Sequence, residues 1–345
     1  MRKLASIKRI SKLEPIEGAD KIELAHVGGW KVVVAKDVGH KEGDLVVYCE
    51  IDSFLPIEPE FEFLRKSSYK KMSDGTEGFR LKTIKLRGQI SQGLILPLGD
   101  AYSIYKRNTP NLDMIWFEGL DVTDMLGITK YEPPMPVELA GKVKGFFPGF
   151  IPKTDEERIQ NFSDEFNEWR DSGEEFYVTE KLDGSSVTFY IKYGVFGVCS
   201  RNLELLETEG NTVWKVAREM DLENKMRSVG KNFSLQGELI GEGIQKNPYK
   251  IKGHTVRFFN VFDIDEQERQ PLEYFKMTMD VLGLESVPIL DESFTLPNTV
   301  NDMLMYAEAP SKLNPNFSRE GVVVRSKCQT ISFKSISNQF LLNEK

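Results

Sequence analysis

The chain has few of the residues that usually mark a metal centre or a secreted scaffold: 345 residues include three cysteines and three histidines. Cys49, Cys199 and Cys328 are odd in number and widely spaced, which excludes a disulfide framework and a zinc pattern and suits reduced thiols in apolar strands. His26, His40 and His254 are equally scattered and offer neither a metal cluster nor a serine triad. No apolar run approaches the ~20 residues that span a bilayer. The basic start Met1-Arg2-Lys3 lacks the apolar segment of a signal peptide. A cytoplasmic protein with no membrane role is therefore expected. A general excess of positive charge is also missing, because the formal net charge is −8. With 40% apolar and 28% charged residues, the chain can build two soluble domains.

Residues 1 to 98 contain short apolar runs separated by turn signals. Strands are expected over Leu4 to Ile10, Ile22 to Val27, Lys31 to Val34, Leu45 to Glu50, Phe79 to Leu86 and Gly93 to Leu98. Short strands at this spacing predict a small barrel, and an OB-like, all-β barrel fits best. Residues 64 to 99 hold eight basic residues against two acidic ones. A basic patch on an acidic chain is the footprint of a phosphate-backbone reader, with Lys82, Lys85 and Arg87 as its candidate contacts; a solvated charged loop is the plainer alternative.

Residues 101 to 130 show no clean period, and the stretch from Tyr131-Glu132-Pro133-Pro134-Met135-Pro136 to Pro152 is rich in proline and glycine. The expected division is a barrel with its extension over 1–130, a linker over 131–152 and a second domain over 153–345. Thr154 and Glu157 have capping-box spacing, so a helix is expected from there. Ile159, Phe162, Phe166 and Trp169 would form its core face, and Arg158 would sit in its first turn, where a cation opposes the helix dipole unless an anion is bound. Further helices are expected over Asn211 to Val229 and Leu272 to Leu282. They would cover antiparallel sheets, making the second domain α+β.

The richest stretch chemically is Glu180-Lys181-Leu182-Asp183-Gly184-Ser185-Ser186, flanked by Phe176 to Thr179 and Val187 to Ile191. Both flanks favour strands, so the lysine falls at a strand end. A lysine becomes a nucleophile only when desolvation or a nearby cation frees its lone pair, and Asp183 could hold such a cation. An ordinary exposed Asp-Gly hairpin is the competing reading. Ordered segments follow, each with a charged group at an apolar strand: Ser200-Arg201-Asn202, Gln236-Gly237-Glu238-Leu239, Arg257 to Ile264, Glu320-Gly321-Val322-Val323-Val324-Arg325 and Ser332-Phe333-Lys334.

In order and spacing these segments resemble the nucleotidyltransferase motifs of the covalent ligase and capping-enzyme superfamily. An N-terminal barrel, with Lys85-Leu86-Arg87-Gly88-Gln89-Ile90-Ser91-Gln92-Gly93 within it, narrows the resemblance to RNA ligases of the Deinococcus and Naegleria type. The resemblance implies an ATP-dependent RNA ligase with Lys181 as nucleophile. Asp183, Glu238 and Glu320 would hold a divalent metal, magnesium or manganese, through water. Lys334 and Arg201 would contact the α-phosphate or sugar, and Arg158 a phosphate. Thr179, Glu180, Lys181 and Lys334 would line the nucleotide site, with Phe262, or else Phe259, stacked on adenine. The substrate would be nicked or broken RNA, including ends held in a duplex, and the protein a monomer. A GTP-using capping guanylyltransferase and a nucleic-acid-binding protein without catalysis are the alternatives. The last motif departs from the family pattern: Ser332 stands where related ligases carry the first lysine of a Lys-x-Lys pair, so either Lys327 or an arginine substitutes or the contact is absent.

Overall fold

The computed structural model describes residues 3–72, 74–109, 114–132 and 142–343. The proline-rich part of the expected linker, from Pro133 to Gly141, lies outside the described residues. Two compact units emerge: one of residues 1–135, 160–165 and 341–345, the other of residues 136–159 and 166–340. The chain thus returns to the first unit for a short segment, which the sequence did not suggest.

The first unit is built on β1 (Ala5–Pro15), β2 (Ile22–Val27), β3 (Trp30–Ala35), β4 (Leu45–Cys49), β5 (Ser53–Leu55), β6 (Tyr69–Lys71), β7 (Glu77–Arg80), β8 (Thr83–Leu86), β9 (Gln89–Gln92), β10 (Leu94–Pro97) and β11 (Thr129–Lys130). They form sheets in the orders β10-β4-β1-β2-β3 and β11-β5-β7-β6, with β8 and β9 as a separate hairpin. This is the expected OB-like barrel. The run Phe79 to Leu86 is two strands rather than one, with Leu81 and Lys82 between β7 and β8. Helix α1 (Arg65–Ser68) is a single turn, and α2 (Leu98–Asn108) occupies part of the stretch without a clean period. Ala101, Ile104 and Tyr105 of α2 are buried, the i, i+3, i+4 pattern of one helix face. Ile7, Val47, Leu55, Phe61 and Phe79 fill the core beside them.

In the second unit follow β12 (Val143–Phe146), β13 (Phe176–Lys181), β14 (Ser185–Lys192), β15 (Val195–Ser200), β16 (Leu203–Leu205), β17 (Phe233–Gly241), β18 (His254–Asp263), β19 (Glu268–Arg269), β20 (Ile289–Phe294), β21 (Gly321–Ser326) and β22 (Ser332–Ile336). They make a seven-stranded sheet, β12-β16-β15-β14-β17-β18-β19, and a four-stranded sheet, β20-β13-β21-β22; the strand pairs are antiparallel. Val187, Phe189, Leu235, Val256, Phe258 and Val261 form the main core with residues of the helices. The helices of this unit are α3 (Glu165–Asp171), α4 (Thr212–Glu219), α5 (Leu222–Val229), α6 (Leu272–Leu282) and α7 (Val300–Ala307), of which α4, α5 and α6 contribute to that core. The expected helix over Asn211 to Val229 is two helices, broken where Asp221 adopts a left-handed conformation (φ 53°); the side chain of Asn211 caps the first by accepting from Val213 and Trp214.

No helix starts at Thr154. Residues 152–157 have no regular secondary structure, which resumes with a 3-10 turn over Ile159–Phe162. The acids that looked like a cap have other partners, and Thr154 shares a hydrogen bond with Ser186. The helix-dipole argument for Arg158 therefore lapses. Among the described residues no helix is long and apolar enough to cross a membrane. Cys49 and Cys199 are buried, whereas Cys328 is exposed in a turn rather than in the core.

Candidate active site

Lys181 ends β13, a strand paired on both sides, and lies opposite Gly321 of β21. That register brings Glu320, one residue earlier, alongside: the Lys181 Nζ donates to Glu320 Oε1 at 2.7 Å. A side chain at position 321 would collide with the Ser335 carbonyl, because a Cβ there would lie 2.2 Å from it. The glycine after Glu320 lets the strands close around this pair.

The competing hairpin reading fails on topology. β13 and β14 belong to different sheets, so Leu182-Asp183-Gly184 carries the chain from one sheet to the other. Buried Leu182 (2% exposed) anchors the crossing, and the Asp183 amide donates to the Tyr249 hydroxyl at 2.6 Å. At Gly184 a Cβ would stand 2.5 Å from the Leu239 carbonyl and 2.8 Å from Glu238 Cγ. Glu238 pairs with Ser186 across β14 and β17. The four-stranded sheet therefore supplies Lys181 and Glu320, the seven-stranded sheet supplies Glu238, and the crossing supplies Asp183.

The electrostatics follow from this crowding. Burial disfavours the Lys181 ammonium, but the carboxylates of Glu320, Glu238 and Asp183 outweigh it and raise the lysine above its usual pKa. Burial raises the Glu238 carboxyl to about 8; the Lys181 charge opposes this, and Glu320 and Asp183 add to it. Ligand-free, the amine is held protonated. No three acidic, histidine or cysteine side chains among the described residues form a direct metal cage. Three carboxylates around one lysine fit a hydrated hard cation better than a stripped one.

A second cluster joins two other expected residues. Lys334 Nζ lies 2.9 Å from Asp155 Oδ1, and Arg201 3.3 Å from Asp155 Oδ2. Asp155, which sequence reasoning took for part of a helix cap, thus brings both cations together. Arg158 is buried and forms a parallel bridge with Lys334. Glu156 is buried between Arg325 at 2.9 Å and Arg269 at 3.4 Å, and accepts from Ser332. Burial opposes its ionisation, but the two guanidinium groups and the hydrogen bonds from Ser332 and Arg325 hold its carboxyl below the usual range. Ser332, where a lysine was expected, therefore has an arginine nearby: Arg269 donates to its hydroxyl at 3.3 Å. Lys327 pairs instead with Glu175.

Not every expected residue joins these clusters. The Thr179 side chain is buried against the Val323 carbonyl, and Glu180 accepts from the Lys312 amide at 2.8 Å. Burial holds the Glu180 carboxyl above its usual pKa, despite the opposing Ser311 and Lys312 hydrogen bonds. Phe258 and Val261 of β18 enter the main core. A bulge opposite Gln236 and Gly237 sends Phe259 and Phe262 elsewhere: Phe259 packs by Leu182 and Tyr249, and Phe262 by Tyr190 and Cys199. In the first unit, Lys85 lies on the β8–β9 hairpin and Arg87 at its turn; both are exposed, whereas Lys82 precedes β8 and is half-buried. Part of the basic patch is neutralised, since Arg65 pairs with Glu62 and Lys71 with Glu77. A concavity of about 570 Å³ beside Glu207, Trp214 and Arg218 holds none of the motif side chains.

Comparison with known proteins adds three findings. A family profile described as an OB-fold domain matches residues 4–98, and one described as RNA ligase matches residues 174–337. Similar solved structures include a Naegleria gruberi RNA ligase mutant with AMP and Mn (40% identity, 99% of each chain, TM-score 0.89) and the same ligase with PPi (41% identity, 99% of this chain and 98% of that one, TM-score 0.88). Another mutant of that ligase, with ATP and Mn, is 40% identical over 99% of each chain, with a TM-score of 0.88. No curated protein sequence matches.

Proposed function

Because the chain belongs to the RNA ligase family, we infer that it is an ATP-dependent RNA ligase that uses a divalent metal and joins a 3′-hydroxyl to a 5′-phosphate. The observation that carries this reading is the convergence of Lys181, Glu320, Glu238 and Asp183 where the chain crosses from the four-stranded to the seven-stranded sheet. In the first transfer the Lys181 Nζ attacks the α-phosphorus of ATP, the bond to the leaving pyrophosphate breaks, and the amine releases its proton. In the second, the RNA 5′-phosphate displaces Lys181 from AMP. In the third, the 3′-hydroxyl attacks the activated 5′-phosphate, giving a phosphodiester and free AMP.

Asp183, Glu238 and Glu320 would hold the water shell of magnesium or manganese. Such a cation supplies positive charge that offsets the α-phosphate and lowers the pKa of an adjacent amine. Lys181 is otherwise locked to Glu320, so releasing that ion pair is part of its activation. Lys334, Arg201 and Arg158 provide positive charge for the developing negative oxygens, and Asp155 keeps Lys334 and Arg201 in place before nucleotide arrives. The adenine stacks on Phe262 or Phe259. On the RNA side we assign a nicked duplex as substrate, with Lys85 and Arg87, supported by Lys82, contacting its backbone. The protein acts as a monomer in the cytoplasm.

The test is uptake of label from radiolabelled ATP, GTP and NAD in parallel, followed by sealing of a nicked duplex with an RNA 3′-hydroxyl strand. Label from ATP and a sealed product are expected. Label from GTP alone would replace this reading with a capping guanylyltransferase, and no label from any of the three would leave only nucleic-acid binding.

A further inference from the structure

The loop from Glu242 to Gly253 joins β17 to β18 and has no part in the chemistry above. Its base is closed by the Gly241–His254 pair and by the Glu242 amide, which donates to the Gly253 carbonyl at 2.8 Å. Within it Gln245, Lys246, Asn247 and Lys250 all have positive φ, from 43° to 61°. L-residues adopt this conformation at a cost, which persists only where surrounding contacts enforce it, and such residues gather at functional sites. The contacts are present: Asn247 bonds both the amide and the carbonyl of Ile251, and Asn314 donates to the Pro248 carbonyl.

This loop is tied to the nucleophile's own turn. Buried Tyr249 accepts from the Asp183 amide at 2.6 Å, and the Gln245 side chain donates to the Gly184 carbonyl at 3.3 Å. Its outer side carries Lys246, Lys250 and Lys252, all exposed. Glu242 is the only acid within the loop, and none of the three lysines has an ion-pair partner in the described residues. On a chain of net charge −8, three unpaired cations are held beside the group that must receive an RNA end.

We propose that this loop is a second RNA-binding element, in which Lys246, Lys250 and Lys252 contact backbone phosphates of the strand whose 5′-phosphate is delivered to Lys181. Phosphate contacts fix position without reading sequence, which suits an enzyme that must align an end of any sequence. The inference rests on the RNA-ligase reading; label uptake from ATP by the wild-type protein tests that reading separately.

Binding of a nicked RNA duplex with a 5′-phosphate is measured without ATP over a series of KCl concentrations, with melting curves confirming folding. The combined change Lys246→Gln, Lys250→Gln and Lys252→Gln is expected to lower the salt slope by about 2 to 3 and to weaken binding roughly 10-fold or more at low salt. The Lys→Arg version of the three should keep wild-type affinity. Changing Lys215, Lys225 and Lys231 to Gln, which removes equal charge on and after α4 and α5, should leave the slope unchanged. An unchanged slope in the loop variant, or an equal fall in the control, would overturn the proposal. So would a raised KM for ATP with RNA binding intact, which would assign the lysines to the triphosphate.

Discussion

Glu238 is the residue whose environment and proposed task are most at odds. Its carboxyl, raised to about 8 by burial among other acids, is mostly protonated at neutral pH, yet a cation's water shell needs it ionised. Proton and metal therefore compete. A raised acid loses its proton only as pH climbs through the folded value, so the Mn requirement for self-adenylylation should fall about tenfold per unit between pH 6 and 8 and level off above that. Titrating Mn at several pH values checks this, and a pH-independent requirement would remove Glu238 from the metal shell. Folding is linked with the same sign: above the unfolded value near 4.5, the folded state binds more protons than the unfolded one, so this group's contribution to stability declines as pH rises towards 8. Glu156 is the opposite case, ionised because two arginines flank it. Glu156→Gln would leave Arg325 buried without its carboxylate, and a loss of about 3 to 5 kcal/mol is expected, read as a lower midpoint in urea unfolding.

At the scale of elements, the motif-bearing strands could be read from the chain because apolar and β-branched residues flank each charged group. Lys181 ends β13 and Glu320 immediately precedes β21, but Glu238, expected at a strand end, lies within β17, which runs on to Gly241. Pairings between distant segments could not be read, and they decide the site. Thr154 to Glu157 looked like a helix start by local spacing, but Asp155 and Glu156 are held by Lys334, Arg201, Arg325 and Arg269, and those tertiary ion pairs override a cap of about 1 kcal/mol. The break at Asp221 did leave a sign, because Val213, Val216, Ala217 and Met220 share one face whereas Leu222, Met226 and Val229 would fall on the opposite face of a continuous helix. The cap at Asn211 is local and can be tested directly: Asn211→Ala removes the acceptor for the Val213 and Trp214 amides and should cost about 1 kcal/mol of stability. An unchanged midpoint would show that the packing of Trp214 and Val216 alone starts α4.

For the whole molecule, the chemistry depends on a single covalent event. Each of the two units has its own core, and every residue proposed for the nucleotide chemistry belongs to the second. The order of units was legible in the sequence because the short strands of residues 1–98 precede the nucleotidyltransferase motifs, which begin at Lys181. The return of residues 160–165 to the first unit was not, since Gly29, bonded to the Gln160 carbonyl, and Trp30, bonded to Asn161, carry no local sign of such distant partners. The most direct measurement is intact mass followed by peptide mapping of the full chain after incubation with ATP and Mn. One AMP per chain is expected, on Lys181, and none on the Lys181→Ala variant, whose melting curve should show that it folds. An adduct on another residue, or the same adduct on the alanine variant, would contradict this assignment.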